Sequence, residues 1–249
     1  MTIPVYLKQS DQDPEPRDAV YYLLTGDGLF INRQAPFFSS SVPAPGGPPG
    51  LRRHQAWLEN RFPPIPGPLF ERVVGFFDLV CRRSSDEAIV MLTWHEKRGY
   101  DVMVPEQRVT GGKWITGQHI PLRIDYTVPK LPSGMQLVGD IHSHGPMGAF
   151  ESITDRQDQR QLPGLHIVVG NLDLRREPPD LFATIAVDDF AFEIRNPLSL
   201  FEGYVCRRPE DVPPDWMDRV RFTSTPIYAQ SYGAYGTERL PARRFANDR

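Results

Sequence analysis

The sequence contains only two cysteines, Cys81 and Cys206. That scarcity excludes a disulfide framework and any zinc site built from thiolates. No apolar run approaches the roughly 18 residues of a membrane-spanning helix, so none is expected. The opening MTIPVYLKQSDQDPEP lacks a basic stretch followed by an apolar one. No secretory signal is read there, and a cytoplasmic location is expected. Positive charge is not in excess either: 28 Lys and Arg stand against 31 Asp and Glu, a net charge of −3. A nucleic-acid binder would normally carry a basic footprint. Basic residues gather only at the end, where six Arg from Arg219 to Arg249 oppose Glu238 and Asp248. An adaptor binding nucleic acid through that tail is therefore the weakest reading. No internal repeat is present.

Proline is abundant, with 26 residues, which implies many loops and few long helices. An apolar content of 40% and a charged content of 24% are enough for a real core. Residues 19–33, AVYYLLTGDGLFINR, read as a hairpin turning at Gly-Asp-Gly. SSSVPAPGGPPG, from Ser39 to Gly50, reads as a linker or long surface loop. A short helix around Trp57 is expected over residues 51–62. Leu69, Val73, Phe76, Phe77 and Val80 form one apolar stripe. They predict a helix that starts near Pro68 and ends near Arg83. EAIVMLTW (87–94) reads as a buried strand, with YDVMVP pairing back on it. Residues 105–120 read as a polar loop. PLRIDYTV and LVGDIHSH are strand candidates, a helix is expected from Ser152 to about Gln161, and LHIVVGN, LFATIAV and FAFEI complete the strands. This gives an α+β domain with a mixed sheet over 68–200. An N-terminal extension (1–67, hairpin plus Pro-rich segment) precedes it, and a Tyr/Gly/Arg-rich C-terminal extension (201–249) follows.

The chemistry concentrates in GDIHSHGPMGAFESITDRQD, residues 139–158. Side chains alternate along a strand, so His142 and His144 share one face and Ser143 takes the other. Ser152 and Asp155 together resemble a helix-capping box. Two imidazoles and a carboxylate also make a three-ligand set with a fourth place for water, the arrangement of a catalytic zinc. Asp140 is read as alternating off the ligand face and stays outside the set. His166 reads as a satisfied strand histidine, and His54, His95 and His119 as loop residues.

His142-Ser143-His144, seven further residues, then Ser152-x-x-Asp155, preceded by Gly139, resembles the signature of the JAMM metalloproteases, also called JAB or MPN-plus domains. The resemblance covers roughly residues 68–195. It implies a JAB/MPN-type, cytidine deaminase-like mixed sheet flanked by helices, and one zinc ion on His142, His144 and Asp155. It also implies an upstream glutamate acting as general base, which here falls on Glu87 at the head of the first core strand. Ser152 takes the place of the serine that donates to the developing oxyanion. The implied reaction is cleavage of an amide bond at the C-terminus of a ubiquitin-like protein or its conjugate. Segment order and short identities resemble bacterial members found beside E1-like and E2-like genes, including PRTRC-cassette A proteins and the conjugation operons of antiphage defence. A non-catalytic scaffold of the same fold is the alternative, which bound metal would disfavour.

Overall fold

The computed structural model describes residues 3–47, 52, 54–114, 119–159, 161–188 and 190–227. The Tyr/Gly/Arg-rich stretch from 228 onward lies outside them. The chain divides into two units, residues 1–59 and 60–249.

The first unit is a four-stranded sheet of β1 (Val5–Leu7), β2 (Val20–Thr25), β3 (Gly28–Ala35) and β4 (Phe38–Pro43), in that order. β2 and β3 pair antiparallel across Gly26 and Asp27. Thr25 Oγ1 accepts from the Asp27 N–H and donates to the Gly28 carbonyl, which closes the turn. Part of the expected loop after Ser39 is strand instead. Ser39 to Val42 extend along β3, where the polar run hid the pairing. The helix expected around Trp57 does not form: residues 54–62 have no regular structure. A Pro-rich segment on each side and the lack of an apolar stripe leave it nothing to pack.

The second unit begins with β5 (Ile65–Pro66) and α1 (Gly67–Ser84). The helix is buried on more than its stripe: Phe70, Val73, Val74, Phe76, Phe77, Val80 and Cys81 are all inside. Ser85 ends it in the left-handed conformation, its N–H donating to the Cys81 carbonyl. Then follow β6 (Ala88–His95), β7 (Gly99–Met103), β8 (Gln107–Trp114), β9 (His119–Tyr126), β10 (Met135–Ser143), α2 (Ile153–Gln159), β11 (Gly164–Gly170), β12 (Asp180–Val187) and β13 (Phe190–Glu193). β14 (Phe201–Glu202), α3 (Pro214–Asp218) and β15 (Val220–Ile227) complete the unit.

Two sheets matter for the site. The central one has six strands in the order β13-β12-β11-β10-β6-β7. β10 runs parallel to β11 and antiparallel to β6. This is a mixed sheet with few helices, as α+β requires. The second sheet, β15-β8-β9, corrects the expectation of a polar loop over 105–120. Among the β8 positions whose burial is described, Gln107, Val109, Gly111 and Gly112 are buried, so only one of the four is a conventional core residue.

The segment after residue 200, expected to begin an extension, is tied to α1. Phe201 stacks on Phe70 with centroids 3.7 Å apart, and Trp216 meets Phe76 edge-on at 5.6 Å. Arg207 reaches Asp78, Glu177 and the carbonyls of Leu172 and Arg176. Gly75 permits this approach: a Cβ there would lie 2.5 Å from the Arg208 carbonyl.

Candidate metal centre

β10 carries the two histidines, and an irregularity sets which way they point. Leu137 pairs with Thr93 but Gly139 pairs with Leu92, so one extra residue bulges from β10. Gly139 sits there because nothing larger fits. Its φ is +155°, and a Cβ would lie 1.7 Å from the Leu165 carbonyl oxygen. Beyond the bulge the strand alternates regularly. Asp140, His142 and His144 line the cleft. Ser143 points away, and its Oγ accepts from the Ala88 N–H at 3.1 Å.

The chain then turns at Gly145, φ +57°, and reaches α2. The loop is held from the turn after β11 by the Asn171 N–H on the Met147 carbonyl and the Leu172 N–H on the Gly145 carbonyl. Gly170 lies so close to this loop that a Cβ would meet Ala149 N at 2.3 Å. At the head of α2 the capping box is complete. The Asp155 N–H donates to Ser152 Oγ at 3.1 Å, and the Ser152 N–H donates to Asp155 Oδ2 at 2.8 Å. The same carboxylate faces the imidazoles: Oδ1 is 3.4 Å from His142 Nε2, and Oδ2 is 3.4 Å from His144 Nε2. The capping role of Asp155 is therefore compatible with its reading as a ligand.

The donor set fits a metal ion. His142 Nδ1 lies 3.2 Å from Asp140 Oδ1 and His144 Nδ1 lies 3.3 Å from the Gly148 carbonyl. Both partners accept, so each Nδ1 carries the proton and each Nε2 presents a lone pair. Two lone pairs and a carboxylate then converge, and His142 Nε2 is buried with no hydrogen bond. One ligand atom from each residue can be chosen so that all three lie within 4.8 Å of one another. A tetrahedral ion with bonds of about 2.0–2.1 Å spaces its ligands about 3.4 Å apart, the distance of each imidazole Nε2 from one Asp155 oxygen, Oδ1 for His142 and Oδ2 for His144. Without a cation, protons take its place. Burial opposes charge on His142, yet Asp155 and Asp140 hold its pKa well above the usual histidine value. Burial likewise opposes ionisation of Asp155, but the facing imidazoles keep it below the carboxylate range.

Asp140 has a larger part than its sequence position was given. Two residues before His142, it shares that residue's face and does not alternate off it. Its Oδ2 lies 2.6 Å from His166 Nδ1, and His166 Nε2 lies 2.8 Å from the Leu162 carbonyl. Both partners are acceptors, so His166 donates from both nitrogens. Burial disfavours that charge, but Asp140 raises the pKa of His166. His166 is thus a satisfied strand histidine, as expected, and it anchors the carboxylate that orients His142.

Glu87 lies just before β6 and lines the same cleft. Its burial raises its pKa; His144 and His142 pull it back, and Asp155 and Asp86 add to the rise. Asp86 points elsewhere, onto His119 at 2.7 Å. His119 is thus a strand residue with a partner, not a loop residue. Ser152 lines the cleft too, and its Oγ accepts the cap while keeping its own proton to donate. The cleft measures about 530 Å³. Its far wall is β9, through Pro121, Leu122, Ile124 and Tyr126. PLRIDYTV reads as a strand, which β9 bears out; that this strand walls the cleft has no signal in the sequence. Phe150 stands at the mouth, edge-on to His144 at 4.7 Å.

No curated protein matches the chain. Residues 75–185, a span that carries Glu87, His142, His144, Ser152 and Asp155, match the family described as prokaryotic homologs of the JAB domain.

Proposed function

We propose that the protein is a zinc-dependent isopeptidase or peptidase that cleaves at the C-terminus of a ubiquitin-like protein, in maturation or deconjugation. The observation that carries this reading is the meeting of two imidazole lone pairs and Asp155 in a cleft that also holds Glu87. His142, His144 and Asp155 would hold the zinc. When bound, the ion supplies Lewis-acid polarisation of a carbonyl and lowers the pKa of water. The protein's own groups do the rest. Glu87, its pKa raised by burial, accepts the proton of the attacking water and passes it to the leaving amine. The Ser152 hydroxyl donates to the oxygen on which charge develops. Met147 and Phe150 help wall the site from solvent.

Substrate class rests on shape and on the resemblance of the motif. A modifier tail is an extended peptide. In the order β15-β8-β9, β9 is the edge strand, and it lines the cleft. Strand addition there would bring a tail past Glu87. E1-like and E2-like proteins would be its functional neighbours in a cytoplasmic conjugation system.

The test is cleavage of a panel of ubiquitin-like domains fused through their terminal glycine to a reporter. The wild-type protein, purified without chelator, should carry about one zinc per chain and release the reporter. Glu87→Gln should keep the zinc and lose at least about 100-fold in turnover. Asp155→Ala should lose the metal. Equal turnover by wild type and Glu87→Gln removes Glu87 as the base, and a metal-free wild type turns the reading toward a non-catalytic scaffold.

A further inference from the structure

Glu87 stands at the first turn of chain after α1, where a strand end would ordinarily be loose. It is fastened on three sides. Behind it, the Ala88 N–H donates to Ser143 Oγ, between the two histidines. Two residues on, Gln107 acts as a side-chain surrogate for a strand. Its Oε1 accepts from the Ile89 N–H at 3.0 Å, and its Nε2 donates to the Ile89 carbonyl at 3.0 Å. One residue before, Asp86, nearly fully buried, is held by His119 Nε2 at 2.7 Å. The His119 ring lies directly over Gly111, where a Cβ would sit 2.0 Å from the ring and 2.4 Å from Asp86 Oδ1. Gln107 and Gly111 belong to β8 and His119 to β9. The sheet that walls the cleft therefore grips both flanks of Glu87.

We infer that Gln107 and the Gly111–His119–Asp86 contact are positioning elements for Glu87. The β8–β9 sheet would then set the reach of the general base as well as wall the cleft. The inference rests on the proposed role of Glu87. None of these side chains touches the metal-ligand atoms, so their loss should misplace the base and leave the ligands in place. A displacement near 1 Å is enough to cost about 100-fold in rate.

The test uses the full-length, zinc-loaded protein and reads three quantities: zinc stoichiometry, amide hydrogen exchange, and turnover of ubiquitin carrying a C-terminal aminocoumarin amide. His119→Phe and Gly111→Ala should speed exchange in residues 86–89 by about 10-fold or more, with α1 and β10 unchanged. They should lower kcat about 10- to 100-fold with KM and zinc content unchanged. His119→Gln, whose amide still donates to Asp86, should restore most of the rate. Gln107→Leu should expose the Ile89 amide in particular. Unchanged exchange at 86–89, loss of zinc, or a uniform rise across the whole second unit would each overturn the inference. A wild-type protein that cleaves nothing would sink the hydrolase reading, and the exchange data would still decide whether these contacts hold Glu87.

Discussion

At the scale of single residues, the site is an arrangement of proton positions. His142 and His144 each spend Nδ1–H on an acceptor, which leaves two lone pairs aimed at Asp155. Asp140 is the residue on which this depends most, because it fixes the His142 tautomer while His166 neutralises it. Asp140→Asn keeps the shape but can present an amide N–H to His142 Nδ1, favouring the other tautomer. Zinc affinity should then fall about 10- to 100-fold, as measured by competition with a chromophoric chelator. An unchanged affinity would mean that the strand alone orients His142. The histidine pair and Asp155 were legible in the sequence because their spacing is a strand period followed by a helix cap. Asp140 was equally legible by that period, since residues 140, 142 and 144 share parity; the error lay in assigning it to the opposite face. His166 could not be paired with it from sequence, because their contact crosses from β10 to a neighbouring strand.

At the scale of elements, the site depends on where β10 bends and how closely it approaches β11. The bulge before Gly139 and the missing Cβ there put Asp140, His142 and His144 on the cleft side. Gly139→Ala would drive a methyl into the Leu165 carbonyl, on a backbone that L residues rarely adopt. The expected cost is at least about 3 kcal/mol, seen as a lower midpoint in urea unfolding of the second unit, with zinc binding weakened in the folded fraction. Stability equal to wild type would show that β10 and β11 can part without loss. The long helix and the core strands were readable because burial gave them clean apolar patterns. β8 was not, because Gln107 and Gly111 stand at buried positions and serve Ile89 and His119 rather than a hydrophobic core.

At the scale of the whole molecule, the second unit is closed by a strap that the sequence disguised as a tail. The strap is held by charge, and distant ion pairs leave no periodic trace. Glu71 on α1, almost fully buried, accepts from the Val205 N–H at 2.8 Å and from Arg208 Nε at 2.7 Å. Burial alone would raise its pKa, but Arg208 and the backbone donors lower it below the ordinary value. The folded-state pKa is therefore depressed. Its contribution to stability is present above the unfolded carboxylate value, about 4.3, and is lost as pH falls through the folded value. Glu71→Gln removes the charge and keeps the volume. At pH 7 the variant should be less stable by about 1.5–3 kcal/mol, the range for hydrogen bonds to a charged group. Near pH 3 the gap should narrow, because the wild-type carboxyl begins to take up the proton that makes it resemble the amide. Urea unfolding of both proteins at the two pH values measures the gap directly. A difference that is the same at both would mean that the strap is fastened by Phe201, Trp216 and Arg207 alone, with the Glu71 charge contributing nothing.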